Sequence, residues 1–418
     1  MIPTTCHFTM QPTVAILSFP GNNCETESIR AVKRAGMQPL FFRWNDDTAK
    51  LKRADAYFIP GGFSYEDRGR SGMVAARDPV LNVIREEAMA GKPVIGICNG
   101  AQVLVESGLI PLNSELRMSL ARNVVQSTAP GFLNEWVWIK RTCAADRCAT
   151  SNWDEVMHLP MAHGEGRFIT EDKDVIQELK ENDQIAFSYC DADGNVSEDP
   201  IVTPNGSMFA IAGICNPQGN IVALMPHPER SPEGGRYFES LKGWIESGRK
   251  HPFTAAPESD AAVKVPAHAT KNPLEIFIDT KIVNNEERTV EQAAKRLVQS
   301  LTLKQMRYMS VPASEPGKIL SHIALFNSNK EIAYLRRNGK FSRWNTEKKR
   351  EEEVEPLFTD AVALLRRDVP DTGAAGLGKG SESGICYVCR NVERNALLKR
   401  SVLEIFANPH ASTLTMLS

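Results

Sequence analysis

Cys98, His227 and Glu229 are the residue types that acyl transfer through a thiol requires. Cys98 stands in Gly96-Ile97-Cys98-Asn99-Gly100, a G-x-C-x-G pattern. It is the thiol counterpart of the nucleophile elbow, in which the attacking residue sits on a sharp strand-to-helix turn. Such a turn is strained, and its neighbours cannot carry bulky side chains. The helix N-terminus that follows favours thiolate over thiol. The pentapeptide alone fits a small buried cysteine in an ordinary βα turn equally well. His227 follows the apolar run Ile221 to Met225, and Glu229 comes two residues later. A thiol needs a base, and the base needs an acceptor to orient its ring. One loop supplies both, with Pro226 and Pro228 restraining its backbone.

Two further loops carry candidate residues. Gly61, Gly62 and Phe63 follow an apolar stretch, and adjacent glycines let backbone N–H groups converge. With the N–H of Asn99 they would form an oxyanion hole; a plain turn is the ordinary alternative. His163, Gly164, Glu165 and Arg167 lie in a polar, glycine-rich loop, read as a binding or partner-facing loop. A lone histidine is usually a surface or satisfied core residue. That reading is given to His7, His158, His251, His268, His322 and His410.

The elements that must hold these loops alternate. Thr13 to Leu17, Pro39 to Trp44, Asp55 to Pro60 and Pro93 to Ile97 are apolar runs of strand length. Glu25 to Ala35 and Val80 to Ala90 have helical spacing, and each stops at a glycine. Strand–helix alternation predicts an α/β domain with a mostly parallel sheet. Ligands gather beyond the carboxyl ends of such strands, so three glycine-bearing loops should face one crevice.

At 418 residues, two or three domains are expected. Hydrophobic content of 42% and charged content of 24% are ordinary for a globular protein. A net charge of −2 gives no bulk electrostatic case for nucleic acid, and no apolar run reaches membrane-spanning length. Met1 to Gln11 lacks the basic-then-apolar order of a signal peptide. Nine cysteines without framework spacing suit a reducing cytoplasm.

Gly96–Gly100, Pro60-Gly61-Gly62-Phe63-Ser64 and His227-Pro228-Glu229 together resemble the class I (triad) glutamine amidotransferases. Phe19-Pro20-Gly21-Asn22-Asn23-Cys24-Glu25, Ala162 to Phe168 and Met225 to Arg230 narrow the likeness. Within that family the chain is similar to the glutaminase components of phosphoribosylformylglycinamidine synthase, over about residues 12 to 250. Asn22 and Glu66 depart from the common pattern. The resemblance implies a flavodoxin-like α/β fold. It implies Cys98 as nucleophile on L-glutamine, His227 as base, Glu229 orienting it, and Gln102 helping to hold glutamine. It implies ammonia delivery to a separate synthetase, which holds the ATP and magnesium. This chain shows no phosphate-cradling motif, so no cofactor or metal is expected on it. The alternatives are a stand-alone hydrolase of the γ-glutamyl peptidase type and a non-catalytic binding protein.

Residues 251–272 are rich in Ala and Pro and read as a linker. Residues 273–370 read as a small α+β module, with a strand at 274–279 and helices at 289–301 and 347–367. Its strand–helix–strand order is compatible with a small accessory subunit that bridges glutaminase and synthetase in some bacterial forms. Lys348 to Arg350 are cancelled by neighbouring glutamates and do not suggest nucleic acid. Residues 371–418 read as a disordered tail, because 371–384 is rich in Gly and Ser. Cys386 and Cys389 form a lone C-x-x-C, too few ligands for zinc.

Overall fold

The computed structural model describes residues 11–125, 129–254, 261–313 and 315–417. The N-terminal segment read above for a signal peptide, with His7, lies outside the described residues apart from Gln11. The chain divides into two compact units, Met1–Pro257 and Glu258–Ser418.

The first unit runs β1 (Thr13–Ser18), α1 (Glu25–Arg34), β2 (Gln38–Arg43), β3 (Ala56–Ile59), α2 (Met73–Ala76), α3 (Val80–Met89), β4 (Val94–Ile97) and α4 (Asn99–Glu106). Then come β5 (Ser119–Arg122), β6 (Leu133–Arg141), β7 (Val156–His163), β8 (Glu165–Ile169), α5 (Lys173–Glu181), β9 (Ile185–Cys190), β10 (Ile211–Cys215), β11 (Ile221–Leu224) and α6 (Gly235–Glu246). Nine strands form one sheet in the order β2-β1-β3-β4-β11-β10-β9-β6-β7. The first five pair in parallel. From β11 onward the pairing is antiparallel.

Burial follows the pairing. β3, β4 and β11 are buried at every position, as central strands covered on both faces must be. β7 alternates buried and half-buried residues, the period of a strand with one core face. The ends of β1, β3, β4 and β11 bring the loops of Cys24, Gly61, Cys98 and His227 together.

The second unit contains β12 (Leu274–Thr280), α7 (Asn285–Lys295), β13 (Thr302–Val311), α8 (Pro316–Leu320), β14 (Glu331–Arg337), β15 (Lys340–Asn345) and β16 (Arg350–Glu353). It continues through β17 (Val362–Asp368), β18 (Glu382–Arg390), α9 (Arg394–Leu397), α10 (Arg400–Phe406) and β19 (Ser412–Leu417). Its sheet has eight strands in the order β16-β15-β14-β12-β13-β18-β17-β19.

Three expectations are corrected here. The 371–418 segment is not a disordered tail: β18 lies between β13 and β17, and β19 closes the edge. The glycine-rich stretch masked the strand formers Ile385 to Val388 that follow it. The 273–370 module therefore runs on to Leu417, and the 347–367 helix is instead β16, a turn and β17. Part of the 251–272 linker is docked on this unit, since Val263 N–H donates to Leu398 O and His268 N–H to Met416 O. Cys386 and Cys389 lie on β18, three residues apart. That odd spacing directs them to opposite faces of the strand.

Candidate active site

Cys98 caps α4 with φ 52° and ψ −108°, a conformation that a side-chain-bearing residue adopts only at a cost of about 1–3 kcal/mol. The fold enforces it. The Cys98 N–H donates to Leu224 O at 2.8 Å, tying the elbow to β11. On the far side of the turn, Gly100 packs so tightly on Ile59 that a Cβ would overlap its carbonyl oxygen. Cys98 is 5% exposed, and its Sγ lies 3.6 Å from Ala162 O.

His227 and Glu229 are 1% and 2% exposed. His227 Nδ1 and Glu229 Oε1 are 2.6 Å apart. His227 Nε2 and Glu229 Oε2 have no hydrogen-bond partner in the structure. Burial opposes charge on the imidazole, but the Glu229 carboxylate and the Cys98 and Cys24 thiols outweigh it. The imidazolium is held well above its ordinary pKa. The pair therefore has the geometry of a base with its orienting acceptor.

Gly61 explains how these groups fit. A Cβ there would lie 2.7 Å from His227 Cε1, 3.1 Å from Cys24 Sγ and 3.4 Å from Cys98 Cβ. The three loops do meet, and the absent side chain of Gly61 is the space they share. Gly62 has φ 124° and sits against Asn22 and Asn23. Phe63 N–H is already donated to Gly21 O at 3.1 Å, so this amide is not free for an oxyanion. The Phe63 ring is instead exposed beside Phe132.

Asn99 and Gln102 are buried and brace the loops. Asn99 Oδ1 accepts from Ser64 N–H at 3.1 Å, and Asn99 Nδ2 donates to Gln102 Oε1 at 2.9 Å. Gln102 Nε2 donates to the Glu165 carbonyl. Both ends of the Gln102 amide are thus engaged within the protein, where sequence reasoning had offered it to glutamine.

Within the 163–167 loop, His163 is buried, 3% exposed, rather than on the outer face. It ends the buried register of β7, and its ring lies where a Cβ on Gly166 would be. Burial, then the charge of His227, push its pKa down to about 3. Both ring nitrogens lack a partner in the structure. Glu165 and Arg167 are half-buried; Arg167 Nε donates to Arg122 O at 3.0 Å. Gly164 O accepts from Asn123 N–H.

Sequence reasoning missed two groups. Cys24 was legible as part of the first loop, yet only the fold shows its sulfur beside His227. Asp67 follows Tyr65 and Glu66, all three with positive φ. Its carboxylate oxygen is 3.3 Å from Asn99 Nδ2. Burial and then Glu165 raise its pKa to about 7, against a smaller opposing hydrogen bond from Ser71. Between the ordinary value of 3.8 and about 7 the folded chain holds a proton that the unfolded chain releases. Stability must therefore fall as pH rises through that window. Asp67→Asn is expected to flatten the fall. Denaturation midpoints at pH 5 and pH 7.5 measure it, and an equal drop in both proteins would remove Asp67 as its source.

Among the described residues, Cys24, His227 and Glu229 form the cluster whose ligand atoms lie within 4.8 Å of one another. Arg230 donates to the Cys24 sulfur at 2.9 Å, placing a positive charge beside that cluster. No helix of the described residues is long and apolar enough to cross a membrane.

Comparison with known proteins places the chain in a family. The family model of the CobB/CobQ-like glutamine amidotransferase domain matches residues 11–239. Phosphoribosylformylglycinamidine synthase subunit PurQ of Methanothrix thermoacetophila is 41% identical over 259 residues, covering 56% of this chain and 99% of the relative. The subunit of the same name from Methanopyrus kandleri is 42% identical over 243 residues, with coverages of 56% and 99%. A chain in the structure of PurLQS from Thermotoga maritima is 31% identical, with a TM-score of 0.46, covering 56% of this chain and all of that one. The family model spans more than half of the sequence and contains the elbow, the Gly61 turn and the His227 loop, so the chain belongs to the CobB/CobQ-like glutamine amidotransferases.

Proposed function

We propose that this chain is the glutaminase component of a phosphoribosylformylglycinamidine synthase, supplying ammonia for purine biosynthesis in the cytoplasm. The observation that carries the reading is the buried His227–Glu229 pair at 2.6 Å, meeting the elbow cysteine across Gly61. The relatives' shared name adds the pathway.

In this reading Cys98 Sγ attacks the γ-carboxamide carbon of L-glutamine while His227 takes the thiol proton. The C–N bond then breaks, His227 returns the proton to the departing nitrogen, and ammonia leaves a glutamyl thioester. Water, deprotonated by the same imidazole, cleaves the thioester and frees glutamate. The amides of Gly62 and Asn99 are the donors proposed for the tetrahedral oxyanion. Glu229 keeps Nδ1 protonated, so that Nε2 faces the reaction. A separate synthetase holds ATP and magnesium and consumes the ammonia. The second unit is proposed as the assembly element, in the role of a bridging accessory subunit; this link is fold-level analogy.

The test is glutamine hydrolysis by the full chain with and without its synthetase. Ammonia released without a consumer is wasted, so the rate is expected to rise about tenfold or more when the synthetase and its substrates are added, as expected for assembly-dependent closure of a site. A chain lacking residues 258–418 should keep Cys98 reactive toward a diazoketone glutamine analogue but bind the synthetase more weakly. Turnover that ignores the synthetase would favour a stand-alone hydrolase.

A further inference from the structure

Cys24 is a second sulfur in the active site that the reaction as written does not use. Its Sγ lies within 4.8 Å of ligand atoms of both His227 and Glu229. It shares with His227 Cε1 the space opened by Gly61. The sulfur is itself firmly held. Cys24 is 1% exposed and caps α1, and its carbonyl accepts from both the N–H and the hydroxyl of Ser28. Arg230 Nη2 donates to Sγ at 2.9 Å, and the thiol reaches Asn23 Oδ1 at 3.3 Å. A second tie runs from the same helix, since Arg34 Nη2 donates to the carbonyl of Glu229 at 3.2 Å.

His227 is thus bonded to Glu229 on one side, and Cys24, held by Arg230, lies beside the same ring. One hydrogen bond, from Nδ1 to Glu229, leaves the imidazole free to pivot about that bond. A second contact on the ring edge removes the freedom. We propose that Cys24 is a positioning residue for the glutaminase reaction, its Arg230-held sulfur fixing the His227 imidazole so that Nε2 stays aimed at Cys98. The proposal rests on the triad assignment made above.

The charged and titratable groups around His227 come from four elements. Glu229 and Arg230 belong to its own loop, Cys24 to the start of α1, Cys98 to the elbow and His163 to the end of β7. Arg230 is in turn 3.7 Å from Glu27 of α1. Removing the Cys24 sulfur deletes one contributor that raises the His227 pKa. The midpoint of His227 should then move to lower pH.

The experiment uses the full chain labelled with 13Cε1-histidine, since Cε1 is the ring atom facing Gly61. Cys24→Ala is expected to lower the His227 titration midpoint. It should also slow inactivation of Cys98 by a diazoketone glutamine analogue about tenfold, with the analogue's saturation constant unchanged. Cys24→Ser should recover most of both. Arg230→Gln, which leaves the thiol in place but removes the group that holds it, should slow the inactivation by a smaller factor. Should Cys24→Ala fold poorly, Arg230→Gln still decides, since inactivation at the wild-type rate there would show that a held sulfur is not needed. A Cys24→Ala titration that overlays wild type overturns the proposal. So does a slower inactivation accompanied by lower thermal stability and an unmoved midpoint, which is a structural effect alone. Failure of the analogue to label Cys98 in the wild-type chain would instead overturn the triad assignment.

Discussion

Cys98→Ala is expected to abolish glutamine-dependent turnover, by about 10⁵-fold or more, as loss of a triad nucleophile does. Added ammonia should still support amidine formation by the synthetase. In the proposed mechanism the variant loses the step that makes the thioester, and the Gly61 turn is unchanged. Stability gives an internal control. Cys98 has φ 52°, and alanine is no better suited to that backbone than cysteine, whereas glycine adopts it freely. Cys98→Gly should therefore be equally inactive yet more stable than Cys98→Ala by about 1 kcal/mol. Steady-state glutaminase assays and thermal melts of the two variants measure both effects. Residual turnover near the wild-type rate in either one would sink the assignment of Cys98.

The first unit was largely legible because its signals are local and repeated. Strands such as Val94 to Ile97 are short apolar runs, buried on both sides, and each is followed by a glycine-bearing loop. A parallel sheet then has one place to gather those loops. What sequence could not show was which atoms the glycines serve. Gly61 reads as a plausible amide donor, but the fold uses its missing side chain, because His227, Cys24 and Cys98 converge there. Gln102 reads as a substrate ligand one turn into α4, but its amide is engaged by Asn99 and Glu165. Two of these commitments, Gly61 with His227 and Gln102 with Glu165, join residues more than 60 positions apart, which no local pattern carries.

The second unit was less legible for a different reason. Its strands are antiparallel and partly exposed, so their apolar signal is weak. β16 is Arg-Glu-Glu-Glu, an edge strand paired only with β15. Charge suits an unprotected edge, but in sequence the same run reads as a solvated helix. β18 was hidden by the glycines ahead of it. Gly384 lies within that strand because a Cβ there would crowd Arg366 O at 2.5 Å. Inside the sheet, a buried Glu275 accepts from Arg336 at 2.6 and 2.7 Å and from Tyr308 at 2.8 Å. Burial opposes ionisation of Glu275, but the His268 and Arg336 contacts win and hold it down at about 2. A buried, fully paired carboxylate of this kind fixes strand register at little net gain in stability.

His227→Ala should be nearly as damaging as loss of the thiol, whereas Glu229→Ala should retain about 10- to 100-fold more activity than His227→Ala, since members of a triad act as a unit but not equally. The difference follows from what each side chain touches. His227 borders the same Gly61 turn as Cys98 and, in the proposed mechanism, transfers the proton at both stages. Glu229 bonds the ring through Nδ1. Its loss leaves the ring able to find the right orientation part of the time, the more so if Cys24 holds the ring's other edge. The carboxylate also raises the His227 pKa, against the effect of burial. In Glu229→Ala that support is gone, so the His227 midpoint should move down and the charged ring should be lost at lower pH. Turnover measured across pH in both variants, against Cys98→Ala as the floor, separates these roles. If His227→Ala turns over glutamine like wild type, the base lies elsewhere. His163 is then the first candidate, since its ring is buried nearby with both nitrogens unengaged and its pKa is pushed down to about 3. A base that weak would serve poorly at neutral pH, which is why His227, held by Glu229, is the residue assigned to the proton.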